Sequence, residues 1–97
     1  MAAGTSPAIT ALANGEWQAA FEDNNNVLWT HGNVPGTTNT GIAMAPDTSP
    51  SITGLGGENF AMAWQSTSST LTSMIYDGSQ ANTGHTMNAK TSPSLTS

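Results

Sequence analysis

The residues of this chain best suited to chemistry are aromatic side chains and uncharged hydrogen-bonding groups. Trp17, Trp29, Trp64 and Tyr76 each offer a flat π face. His31, Asn39, Thr40, Asn82, Thr83 and His85 lie at or near two Asn-Thr-Gly triplets, 39–41 and 82–84. This combination suits noncovalent recognition of a pyranose, with the ring's C–H side on an aromatic face and its hydroxyls on neutral donors and acceptors. Trp29 and Tyr76 are candidates for stacking, and packing serves equally well as their role. Trp17 and Trp64, with Phe21 and Phe60, fall on alternating positions and read first as core. They can also wall a pocket while packing. His31 and His85 read more simply as ordinary surface residues, and Asn-Thr-Gly as a turn in which glycine supplies a positive φ.

Covalent chemistry has little support. The chain has no cysteine, hence no thiol nucleophile, disulfide framework or thiolate metal site. Neither histidine has a nucleophile and acid partner placed for a triad, although the many Ser and Thr leave a spatial one open. Glu16, Glu22, Asp23, Asp47, Glu58 and Asp77 are scattered and read as solubilising charges that discourage edge pairing. No pair is marked as the two carboxylates of a glycosidase. No zinc or calcium spacing is present. The expectation is a non-enzyme with no cofactor and no metal.

Composition narrows the partners. Charged residues make up 7% of the 97 residues, against about 25% in ordinary soluble domains. The formal net charge is −5, and Lys90 is the one basic residue. Nucleic-acid binding needs Lys and Arg to displace counterions, so it is excluded, and attraction to anionic lipid fails likewise. No apolar run is long enough to span a membrane. Met-Ala-Ala-Gly at the start carries neither the charged nor the apolar region of a signal peptide, and the sequence assigns no compartment, with cytoplasmic expression and non-classical export both open.

The elements that must position these residues are set by an internal repeat. Thr5-Ser6-Pro7 recurs as Thr48-Ser49-Pro50 and as Thr91-Ser92-Pro93, each 43 residues on. Ile9-Thr10-Ala11-Leu12 matches Ile52-Thr53-Gly54-Leu55, and Asn39-Thr40-Gly41 matches Asn82-Thr83-Gly84. Met1, Met44 and Met87 fall in the same register and read as fillers at a junction. The units are 1–43, 44–86 and the opening of a third, 87–97. Unit one reads as strands over 6–12, 16–22, 27–31 and 39–44, separated by Asn14-Gly15, the polar run 23–26 and a Pro-Gly loop. Unit two has strands over 49–55 and 59–65, with a polar cluster at 66–70. Pairing Val27-Leu28-Trp29 with Met74-Ile75-Tyr76 keeps an apolar-aromatic third strand and moves the length difference into loops. The ungapped alternative pairs Leu28 with Leu71 and Trp29 with Thr72.

A period near 43 with strand texture and no sustained helical periodicity predicts an all-β fold, a β-propeller with two four-stranded antiparallel blades per chain. A blade needs neighbours on both faces. The expectation is therefore a homo-oligomeric ring, three chains giving six blades or four giving eight, or else a piece of a longer propeller. Residues 87–97 then serve as a clasp or an overhang.

The runs Met44-Ala45-Pro46-Asp47-Thr48-Ser49-Pro50-Ser51-Ile52-Thr53-Gly54-Leu55 and Phe60-Ala61-Met62-Ala63-Trp64-Gln65 resemble a blade of the PLL-type bacterial β-propeller lectins. So do Trp17 to Phe21, Asn26 to Gly32 and Asn39-Thr40-Gly41. The resemblance covers nearly the whole chain, and related blades also occur appended to enzymes. It implies multivalent binding of monosaccharides such as fucose in pockets between adjacent blades. Members typically have seven blades where this chain has about two, and the third-strand aromatic is Trp29 in one unit and Tyr76 in the other, which implies inequivalent sites.

Overall fold

The computed structural model describes residues 4–12, 15–32, 38–56, 59–75, 80–88 and 90–94. The chain is all-β, and the described residues contain no α-helix. Sheet one holds β1 (Ala8–Ala11), β2 (Trp17–Glu22), β3 (Val27–Gly32) and β4 (Thr38–Ala43). Sheet two holds β5 (Ser51–Gly56), β6 (Asn59–Gln65), β7 (Thr70–Ile75) and β8 (Gln80–Thr86). Each is an antiparallel meander in chain order.

The turn between second and third strands is built twice from different residues. In sheet one, Asn26 N donates to Asp23 O, and the Asp23 carboxylate accepts from Asn25 N and Val27 N. In sheet two, Ser69 N donates to Ser66 O, and Ser66 Oγ accepts from Ser68 N and Thr70 N. Asn26 and Ser69 both take a left-handed φ, 62° and 61°. A serine hydroxyl thus replaces a carboxylate without changing the turn's length.

That identity corrects the gapped pairing of the third strands. Gln65 faces Leu71 and Trp64 faces Thr72, as Glu22 faces Leu28 and Phe21 faces Trp29. The ungapped register holds through the turn and into β7, so the counterpart of Trp29 is Thr72. Tyr76 lies outside the described residues. The large residue changes strand between the two facing pairs: Phe21–Trp29 in sheet one is Trp64–Thr72 in sheet two.

Both fourth strands carry a bulge at Asn-Thr-Gly. The register steps from Leu28↔Ile42 to Trp29↔Asn39, and again between Thr70 and Thr72. Gly41 and Gly84 take φ of 72° and 76° there. Positive φ is the glycine's task, inside a strand rather than at its end.

The sheets pack face to face. Phe60, Met62 and Trp64 lie on one face of β6, with Ile52 opposite Met62 on β5. They meet Ala20, Leu28 and Met44, and all seven are buried in one core. Burying each large side chain stabilises the fold by about 1.5–3 kcal/mol. β1 runs along β5, with Gly54 N donating to Thr10 Oγ1 at 3.0 Å. A Cβ on Gly54 would stand 2.8 Å from Ala11 O, so only glycine permits this approach. The Thr-Ser-Pro copies stitch successive units: Ser6 N donates to Ser49 Oγ, and Ser49 N to Ser92 Oγ.

Nothing stands within 4 Å of a Cβ built on Gly41, so Gly41→Ala is expected to cost only backbone strain, about 1–2 kcal/mol. Urea unfolding of this variant beside Gly41→Asn checks it, with Asn expected to lose less.

Candidate functional site

Alternation along β2 and β3 separates two faces of sheet one. Gln18, Ala20, Glu22, Leu28 and Thr30 are buried. Trp17, Ala19, Phe21, Val27 and Trp29 are half-buried on the other face, and His31 is exposed. Among the described residues, this second face carries the aromatic side chains that are not closed off in the core.

Two ring pairs lie on it. Trp17 opens β2 and His31 is the last residue but one of β3, so both stand at one end of the sheet. Their rings meet edge-on, with centroids 5.6 Å apart and planes at 61°. Toward the other end, Phe21 stacks on Trp29 at 6.3 Å and 17°. The Trp29 indole Nε1 donates to Asp23 Oδ2 at 2.6 Å. The N–H groups of Val27, Trp29 and Asn25 hold the Asp23 carboxyl below its ordinary pKa, the Val27 bond contributing most.

Asn39 and Thr40 serve the bulge beside Trp29. Asn39 Oδ1 accepts from Gly41 N; Thr40 Oγ1 donates to Leu28 O and accepts from Ile42 N. Asn82 and Thr83 stand in the matching bulge of β8. His85 is exposed on β8, and its counterpart in sheet one is Ile42, so the two histidines are not repeat equivalents. In sheet two the Trp17 and His31 positions are filled by Phe60 and Met74, which belong to or pack against the core. Trp64 is 1% exposed and turns no face to solvent. The structure therefore brings together Trp17 with His31, and Trp29 with Asn39 and Thr40. No matching pair of rings lies on sheet two among the described residues.

No family model matches the chain, and no curated protein or solved structure matches it.

One carboxylate departs from its expected solubilising role. Glu22 is fully buried, and neither of its carboxylate oxygens has a hydrogen-bond partner. Its counterpart, Gln65, is equally buried and donates Nε2 to Asn88 O at 2.9 Å and Thr91 O at 3.4 Å. An ionised glutamate cannot donate in that way, whereas a protonated one can. Burial, then Asp47, then Asp23 push the Glu22 carboxyl from 4.5 up to about 7. The sequence signal was present in the pairing of Glu22 with Gln65, but alternation alone does not say which face is covered.

A folded-state pKa above the unfolded one means the stability contribution is full below about pH 4.5 and is lost as pH rises through about 7. The melting temperature is expected to fall across that window. Glu22→Gln is expected to flatten the fall and to raise stability at pH 7.5 by about 1–3 kcal/mol. Thermal unfolding followed by circular dichroism against pH checks both.

Proposed function

We propose that this chain is a carbohydrate-binding module, two β-propeller blades of lectin type that hold a monosaccharide at the sheet end marked by Trp17 and His31. The observation that carries this reading is the edge-on Trp17–His31 pair on a part-exposed aromatic face. An indole held by a neighbouring ring gives a rigid platform for a sugar's C–H face, and an imidazole beside it can bond a hydroxyl. Charge is not needed for such a ligand, which agrees with 7% charged residues. The resemblance to PLL-type lectins adds fucose-type monosaccharides as the first class to test. Weak single sites gain apparent affinity when several are displayed together.

A second reading is a self-assembling propeller fragment without a sugar site. It draws on sheet two, where Phe60 and Met74 replace the Trp–His pair and Trp64 is closed off.

The test is a glycan array with labelled protein, followed by titration of the best sugar into wild type, Trp17→Ala, His31→Ala and Trp29→Ala. Trp17→Ala is expected to weaken binding by about tenfold or more, equivalent to about 1.4 kcal/mol, with a smaller loss for His31→Ala. Loss confined to Trp29→Ala would move the site to the β4 bulge. Failure of folded wild type to bind any glycan would favour the second reading.

A further inference from the structure

We infer that the aromatic face of sheet one is an interface, covered by the second sheet of another copy of this chain in a head-to-tail contact. The internal junction shows what covers such a face. Ile52, Phe60, Met62 and Trp64 of sheet two are 6%, 1%, 1% and 1% exposed because sheet one lies over them. The residues 43 positions earlier are Ile9, Trp17, Ala19 and Phe21. They form the same face of sheet one and remain open, with Ile9 68% exposed.

The covering surface is also present twice. Sheet one covers sheet two with Ala8, Leu12, Ala20, Leu28 and Ile42, together with Met44 from the connection between the sheets. Their counterparts are Ser51, Leu55, Ala63, Leu71, His85 and Met87, so the second covering surface is apolar except at Ser51 and the exposed His85. Leu12 packs against the core, while its copy Leu55 is 45% exposed. Ile75, 37% exposed, faces Ala61 and so lies on this same side of sheet two. The exposed large hydrophobics among the described residues are Ile9, Leu55 and Ile75. One lies on the face that needs a cover, and two belong to the surface that would supply it.

The polar stitching repeats as well. Thr10 Oγ1 accepts Gly54 N across the internal junction. Its copy, Thr53, is placed to accept Ala11 N of the other chain. Ala11 stands where the internal junction has Gly54, and a Cβ there meets a carbonyl at 2.8 Å in the internal geometry. The contact between copies must therefore open slightly at that point. Residues 91–94 already occupy, on sheet two, the place that residues 5–8 of the other copy would take, held by the Ser49 N to Ser92 Oγ bond. One of the two Thr-Ser-Pro segments must yield when copies join. Head-to-tail contacts of this kind give a ring if the rotation closes and a filament if it does not. The inference does not rest on sugar binding, and in the assembly a sugar would reach Trp17 only from the exposed His31 end of the covered face.

The test uses Ile9→Asp and Leu55→Asp in the full chain, on opposite faces and at exposed positions. Masses are measured by light scattering across a concentration series, with tryptophan fluorescence to confirm folding. Wild type is expected at twice 9.9 kDa or more. Each variant alone is expected at the single-chain mass. Mixed together they are expected to form a 1:1 complex and stop there, because each retains the face that the other lacks. The milder pair Ile9→Thr and Leu55→Thr replaces them if either aspartate variant is unfolded. Wild type monomeric at every concentration, variants that associate as wild type does, or a mixture that forms no complex would each overturn the inference.

Discussion

A β-sheet has two faces, and in this chain one copy of a 43-residue repeat covers a face of the other. Everything else follows from that constraint. Sheet two buries the aromatic face of β6 against sheet one, and the substitutions between units reflect the two situations. Where the face is closed, the sequence places Phe60, Met62 and Trp64. Where it is open within the chain, the same positions carry Trp17, Ala19 and Phe21. The Trp–His pair on sheet one and its Phe–Met replacement on sheet two are the clearest case. One arrangement keeps a polar edge, and the other removes it.

The junction is held by backbone geometry as much as by apolar burial. Gly54 allows β5 to approach β1, and Thr-Ser-Pro supplies a hydroxyl to the amide of the preceding copy. Gly4, Asp47 and Lys90 share a left-handed φ one residue before each Thr-Ser-Pro. Glycine meets this without strain, and the other two accept it at a cost of about 1 kcal/mol each. Thr48 is fully buried, with Oγ1 on Ala45 O, and Thr91 bonds Asn88 O in the same way. The Thr-Ser-Pro motif is thus the fastening between successive units.

The all-β class, the two four-stranded antiparallel sheets and most strands were legible in the sequence, because period-2 alternation and turn residues act locally. The third strand of unit two was misread. Met74-Ile75-Tyr76 looks like Val27-Leu28-Trp29 by hydrophobicity, but the Ser66–Ser69 turn fixes the register by hydrogen bonds that a serine makes as well as an aspartate. Burial of Glu22 was likewise not legible, since alternation gives two faces and only packing chooses the inner one. Of the candidate site, the aromatic positions were identified. Their pairing was not, because Trp17 and His31 meet only through the β2–β3 register, 14 residues apart.

The dependence of the fold on one sheet covering the other is tested most directly at Trp64. With Trp17 and Trp29 replaced by phenylalanine, Trp64 is the single tryptophan, and acrylamide quenching reads its contact with solvent. Face-to-face packing predicts a blue-shifted emission and quenching far below that of free indole. Emission and quenching at the level of free indole, in protein whose circular dichroism still shows sheet, would contradict it.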